Sequence, residues 1–170
     1  PSLENTNPVL GYKILGTDND ITKLTSDIPN ILICIGQIKS FERRKKMFEN
    51  LKNFEVNFPI IKSPNSHCSS HAAYGEGTII MHNCTINANS KIGENCIVNN
   101  HSLIEHDVKI EGHCHISTGA IINGGVQIGE GSFIGSGSII KENVKIGKGV
   151  IIGAGQKILK DISDGHIVTK

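Results

Sequence analysis

The residues most able to do chemistry sit close together. They are Asn99-Asn-His-Ser-Leu-Ile-Glu-His-Asp107, followed by His113-Cys-His115. Five of the eight His fall in the stretch from His82 to His115, and none lies between Gly125 and Ile158. His106 is flanked by Glu105 and Asp107. A carboxylate beside an imidazole orients the ring and raises its basicity, as a general base requires. Any one of these His could be an ordinary solvated residue, but their density favours a site.

What positions them is written in the aliphatic residues. The chain of 170 residues has 29 Ile and only 8 Leu, with 19 Gly and no Trp. A helical bundle would be rich in Leu and Ala, so this composition favours β-branched strand faces cut by tight corners. Stepping by six from Ile80 to Ile158 meets thirteen Ile and one Val, at position 98. Two residues before each lies a mostly small residue, such as Cys84, Ser90, Cys96, Ser102 or Cys114. A longer repeat, three hexads in length, is visible in the similar stretches that begin at Lys91, Lys109, Gln127 and Lys145. Three hexads therefore make one triangular coil, and stacked coils pair as parallel strands about 4.8 Å apart. Alternate side chains of a strand share a face, so the Ile and the small residue point inward. The remaining positions face out or turn corners, where Gly, Asn and Asp concentrate because φ can be positive.

This register sorts the His. His82, His101, His106 and His113 fall at corners, and His115 faces out from a strand. Asp107 shares the corner with His106 and is its preferred partner, because a corner side chain can fold back on its neighbour. His106 and His115 are half a coil apart, and so lie on different sides of the prism. Two chains packed side by side, in a closed ring, would bring both to one substrate.

Residues 67–170 are expected to form this β-helix, with the clearest repeat from 72 to 160 and an exposed tail from Asp161. Residues 1–66 do not follow it. Asn30 to Gly36 reads as a buried strand, Ser40 to Asn53 as a helix capped by Ser40, and Phe58 to Lys62 as another strand. The helix should turn Phe48 and Leu51 inward. This is a partial α/β domain.

A net charge of +1 argues against nucleic-acid or polybasic membrane partners. No apolar run approaches the ~18 residues of a membrane span. The five Cys are odd in number and lack C-x-x-C spacing, which fits a reducing cytoplasm rather than a disulfide framework or zinc knuckle. Cys84, Cys96 and Cys114 take inward positions and read as core. Gly-x-Gly corners such as Gly129-Glu-Gly131 never extend to a full phosphate loop. Gly124-Gly125 differs, lying one coil after His106, where bare backbone would admit a ligand.

The ladder resembles the hexapeptide repeat of the parallel β-helix, and that family implies a left-handed coil. Ser102-Leu-Ile-Glu-His-Asp, His113-Cys-His-Ile-Ser and Ile122-Asn-Gly-Gly-Val, with the upstream Ile-Cys-Ile-Gly and Arg43-Arg-Lys-Lys segments, resemble bacterial sugar acyltransferases of the sialic-acid O-acetyltransferase type. That group includes enzymes that N-acetylate UDP-linked 4-amino sugars. The resemblance implies His106 as catalytic base, assisted by Asp107 or Glu105. It implies Asn99 and His115 near the substrate, with His115 beside the acetyl group. It implies a homotrimer, and acetyl-CoA bound between subunits along His115, Gly124, Gly125, Ser136, Ala154 and Gly155, with no metal. The N-terminal part would belong to the nucleotide-sugar domain. The match starts after the family's first two strands and their Gly-rich turn, at Gly11-Tyr-Lys-Ile-Leu-Gly, and the Gly-x-Pro-Ala tail is missing after Val168.

The expected reaction in glycan biosynthesis is direct transfer. His106 takes a proton from a sugar amine or hydroxyl, and His115 or a backbone N–H stabilises the oxyanion. The rivals are a zinc hydrase of the γ-carbonic-anhydrase type, using His101 and His106 across an interface, and a non-catalytic solenoid.

Overall fold

The computed structural model describes residues 8–169. From residue 61 onward the chain winds into a parallel β-solenoid of two-residue strands. Successive strands in a face are usually three hexads apart: Leu103 lies between Thr85 and Ile121, and Ile116 between Val98 and Ile134. Three faces of seven, six and five strands result. The first face includes His115–Ile116, the second Leu103–Ile104 and the third Lys109–Ile110.

The fourteen ladder positions from Ile80 to Ile158 are all buried, most at 0–1% exposure. Each buried aliphatic side chain contributes roughly 1.5–3 kcal/mol of hydrophobic stabilisation. The small inward residues satisfy backbone between coils. The Ser90 hydroxyl donates to Glu105 O at 2.6 Å, Ser132 to Gly147 O at 2.8 Å and Ser138 to Gly153 O at 2.8 Å. The Cys84, Cys96 and Cys114 thiols do the same toward Asn99, Glu111 and Gly129. Burial pushes the Cys84 and Cys114 thiols up, so these are inert core groups.

The corners obey a second six-residue rule. From Gly77 to Gly155 every sixth residue has positive φ: seven are Gly, four are Asn, and the other three are His101, Asp107 and His113. Asn, Asp and His are the non-glycine residues most at ease there.

The solenoid is longer than the Ile ladder at both ends. Ile61–Lys62, expected in the N-terminal fragment, pairs with Ile79–Ile80 as the first rung. Lys62 stands at the register position of the ladder Ile, with its ammonium 3.7 Å from the Tyr74 ring centroid, so the apolar signal is missing. Residues 161–169 are no free tail. Ile162 bridges to Ile146, and Ile167–Val168 pairs with Ile151–Ile152. A regular step from Ile146 would reach Asp164, so this last coil is shortened and leaves the six-residue register.

The N-terminal fragment contains α1 (Ile21–Asp27) and α2 (Glu42–Leu51). The Ser40 hydroxyl accepts the Glu42 N–H at the start of α2. Phe48 and Leu51 are buried, with the Phe48 ring 4.4 Å from that of Phe58. Residues 30–36 do not form the expected strand. The segment has a single bridge, from Asn30 to Asn57. Its Ile33 and Ile35 carbonyls accept from the guanidinium of Arg44, so no neighbouring strand is needed to satisfy them. Arg44 is 1% exposed and also reaches Asn95 O on the solenoid. Burial lowers its pKa from the ordinary value. Among the described residues no helix is long and apolar enough to cross a membrane.

Replacing Arg44 by Met keeps the apolar stem but strands these carbonyls. The expected cost is about 3 kcal/mol of fragment stability. Hydrogen exchange should show lost protection in residues 30–60 while the Ile104 to Ile152 coils stay protected.

Candidate active site

The three corners of each coil stack into three edges. The edge between the second and third faces carries His106. Its Nδ1–H donates to Asp107 Oδ2 at 2.7 Å. Asp107 Oδ1 accepts the Asn89 amide at 2.6 Å from the coil below. These bonds, from Asn89 first and His106 second, hold the Asp107 carboxyl below its usual range. Glu105 is turned elsewhere: its carboxylate accepts the Asn87 amide at 2.7 Å. Of the two candidates, Asp107 therefore partners the imidazole. With Nδ1 protonated, Nε2 presents a bare lone pair, the form a base needs.

The coil above supplies the seat. A Cβ on Gly124 would lie 2.9 Å from His106 Cε1 and Nε2, so the glycine makes room for the ring itself. The Asn143 side chain leans over Gly125 in the same way. The bare backbone at 124–125 is thus filled by protein rather than left open. The recess around His106 has a volume of about 440 Å³ and is lined by Glu105, Asp107, Asn123, Glu142 and Asn143 besides the two glycines.

The other expected residues gather at the edge between the first and second faces. His115 is 8% exposed, although it faces out from its strand. The N-terminal fragment covers it: its Nδ1–H donates to Gln37 O at 2.7 Å, and the Phe133 ring meets it edge-on at 5.2 Å. Asn99 Nδ2 lies 3.5 Å from His115 Nε2. The Ser117 and Ser136 hydroxyls are bonded at 2.9 Å. Beside them the corners at Gly119, Gly137 and Gly155 have nothing near the missing Cβ, leaving an open strip that includes Ala154. The Gln37 bond fixes the His115 tautomer, and burial lowers its pKa, so the neutral ring offers Nε2 as an acceptor. A neutral ring in that tautomer has no Nε2–H to donate.

Within one chain these groups do not meet. No hydrogen bond links the His106 group to the His115 group among the described residues, and the second face lies between their edges. His101 shares the His115 edge, one face away from His106.

His113 corrects the expectation of a solvated corner. It is 3% exposed at the third edge, bonded through Nδ1 to Asn95 at 2.9 Å and edge-on to Phe48. Its Nε2 lies 3.7–4.0 Å from carboxylate oxygens of Glu49, Glu94 and Glu130. Lys52 pairs with Glu94 and Lys45 with Glu130. Glu49, Glu94 and His113 are the one group among the described residues close enough to share a cation, but the lysines make this an ion-pair network docking α2. Burial is the main cause that lowers the His113 pKa.

Period alone could have found Asn87, Asn89 and Glu142, which sit at whole-coil or near whole-coil offsets from Glu105, Asp107 and His106. Spacing puts Arg44 on one helix face with Phe48 and Leu51, but nothing in the sequence marks Gln37 or the solenoid partners of either residue, which are distant along the chain.

The fold and the repeat together define a hexapeptide-repeat β-helix. The bacterial transferase hexapeptide (six repeats) family model matches residues 75–106, 107–142 and 125–155. No curated protein sequence gives a significant match. Among solved structures the chain resembles a sugar N-acetyltransferase and an acetyltransferase domain over nearly its whole length. Perosamine N-acetyltransferase from Caulobacter crescentus, solved as a variant with CoA and GDP-perosamine, is 26% identical, with a TM-score of 0.91 over 97% of this chain and 78% of that one. The acetyltransferase domain of PglB from Neisseria gonorrhoeae is 28% identical, with a TM-score of 0.88 over 96% and 78%, and it has also been solved with acetyl coenzyme A. WeeI from Acinetobacter baumannii is 27% identical, with a TM-score of 0.86 over 96% and 78%.

The lowered His113 and His115 pKa values give stability a pH dependence. Above the ordinary imidazole value of about 6.5, both rings are neutral folded or unfolded, and no penalty applies. As pH falls below it, the unfolded chain takes up protons first, so stability drops until the buried rings titrate too. Thermal melts between pH 8 and 5 should show this decline, and His113→Gln should flatten it.

Proposed function

We propose that the chain is an acetyl-CoA-dependent acetyltransferase acting on an amino group of a nucleotide-linked sugar, in cytoplasmic bacterial glycan biosynthesis, as a homotrimer. The observation that carries this reading is the Asp107–His106 pair, tautomer set and ring seated on Gly124, at the edge of a fold shared with perosamine N-acetyltransferase and the PglB acetyltransferase domain.

The residues fit both substrates. The open strip along Gly119, Ser136, Gly137, Ala154 and Gly155 is free of bulky side chains and suits an extended thioester-bearing chain. An acetyl thioester bound there supplies the electrophilic carbonyl. Glu105, Asp107 and Glu142 give the recess around His106 a negative lining, which favours a substrate arriving as an ammonium over a neutral hydroxyl. His106 Nε2 takes a proton from the ammonium, Asp107 stabilises the resulting imidazolium, and the freed lone pair attacks the thioester carbonyl. The tetrahedral adduct then breaks its C–S bond, the CoA thiolate leaves with the imidazolium proton, and the second nitrogen proton passes to solvent. His115 Nε2, a fixed acceptor beside Asn99, suits an N–H of either substrate.

Two observations support a site between subunits. The two halves lie on edges separated by the second face. That face turns Thr85, Leu103, Ile121 and Ile139 outward, each only partly buried, whereas the third face turns out Lys91, Lys109, Gln127 and Lys145. An uncovered aliphatic ladder of this kind suits a subunit interface. The cysteines are free thiols, three of them inside the coil, as suits a reducing compartment.

His106→Ala should lower acetyl transfer by about 10²–10⁴-fold, measured as CoA release with amino-sugar nucleotides. His115→Ala should also impair transfer. Co-expressing the two variants should restore roughly a quarter of the sites, because a shared interface pairs one intact half from each. No recovery on mixing would place both halves in one chain. Ile121→Lys should yield monomers by light scattering, and those monomers should be inactive.

A further inference from the structure

Asn89 stands out among the four Asn on the positive-φ ladder. Asn95 bonds buried His113 and Asn143 leans over Gly125, but the Asn89 amide points at the carboxylate that holds His106. The Asp107 carboxylate is shared: Oδ1 takes the Asn89 N–H at 2.6 Å, and Oδ2 takes the His106 Nδ1–H at 2.7 Å. Asp107 itself is half exposed, with 53% of its side chain accessible. Without a second bond an exposed carboxylate rotates freely and shares its time with water. The neighbouring acid shows the alternative, since Asn87 holds Glu105 away from the imidazole.

We propose that Asn89 is a positioning residue for the transfer reaction, fixing the Asp107 carboxylate from the coil below so that His106 keeps its Nδ1–H tautomer and presents Nε2 to the recess. This rests on His106 being the base. The chain of support runs through three coils, from Asn89 to Asp107 and His106 to Gly124. The first link sits at φ 60° and so admits only a short list of residues. Asn satisfies that backbone and also carries the donor.

Asn89→Gly separates the two roles, because Gly accepts the same φ and removes only the amide. The backbone bonds of this corner, Asn89 N–H to His71 O and Asp107 N–H to Ala88 O, need no side chain. Asn89→Gly should lower kcat on the order of ten-fold by loosening the base. KM for acetyl-CoA should not move. In an Asp107→Asn background, which also keeps the corner geometry, the Asn89→Gly change should cost nothing further. An equal loss in both backgrounds, or no loss in either, overturns the proposal. A readout independent of activity is the ¹⁵N signature of the His106 ring. The parent should show the Nδ1–H tautomer and Asn89→Gly a shift toward Nε2–H. An unchanged tautomer ratio overturns the positioning role. If instead His106→Ala retains full transfer while the tautomer shifts as expected, Asn89 still positions Asp107 and the reading of His106 as base is what fails.

Discussion

Everything in the solenoid depends on one coil stacking on the next at fixed register. The first N–H of a strand reaches a carbonyl of the following coil, as Lys91 N–H does to Val108 O and Lys109 N–H to Val126 O. A buried backbone group without such a partner is costly, so coil length is held constant along the regular repeat and changes only in the last coil. That fixes the six-residue hexad, the inward Ile and the corner with positive φ together. Inward positions are committed to packing and corner positions to backbone geometry. Chemistry has to use what remains: outward strand positions and the few residue types a corner tolerates.

The site follows from that limit. Asp107, at φ 60°, occupies a position the fold otherwise gives to Gly, Asn or His, so a carboxylate is admitted at little backbone cost. Stacking then delivers its partners. The coil below offers Asn89 to one oxygen, and the coil above offers bare backbone at Gly124 to the imidazole. A rigid scaffold with a strict repeat holds groups from three coils in line without a dedicated loop, which is how preorganised electrostatics are built.

The N-terminal fragment acts on the solenoid through buried polar contacts. Arg44 ties residues 33–35 to the corner at Asn95, and Gln37 reaches across to both His113 and His115. One His thereby becomes part of the docking network and the other becomes a neutral acceptor. Three histidines that look alike in the sequence end with three different roles: exposed base candidate, covered acceptor and structural clasp.

How much of this could be read along the chain depends on distance. The Ile ladder, the triangular coil, the inward cysteines and the corner position of His106 were legible because local spacing sets which way each side chain points. The preference for Asp107 was legible too, since adjacent corner residues can meet without tertiary help. The first rung at Ile61 and the short last coil were hidden, one by Lys62 standing at the register position of the ladder Ile and the other by the shortened step from Ile146 to Ile162. Burial of His113 and His115 was not legible at all. It is decided by α2 and by Gln37, which arrive from outside the repeat. The sequence by itself determined the register, because a six-residue period in a stacked backbone leaves one choice of inside and outside. Only the tertiary structure decided the protonation geometry of His115. A tautomer is set by whichever polar atom lies within about 3 Å, and no spacing rule specifies that atom when it comes from a distant segment.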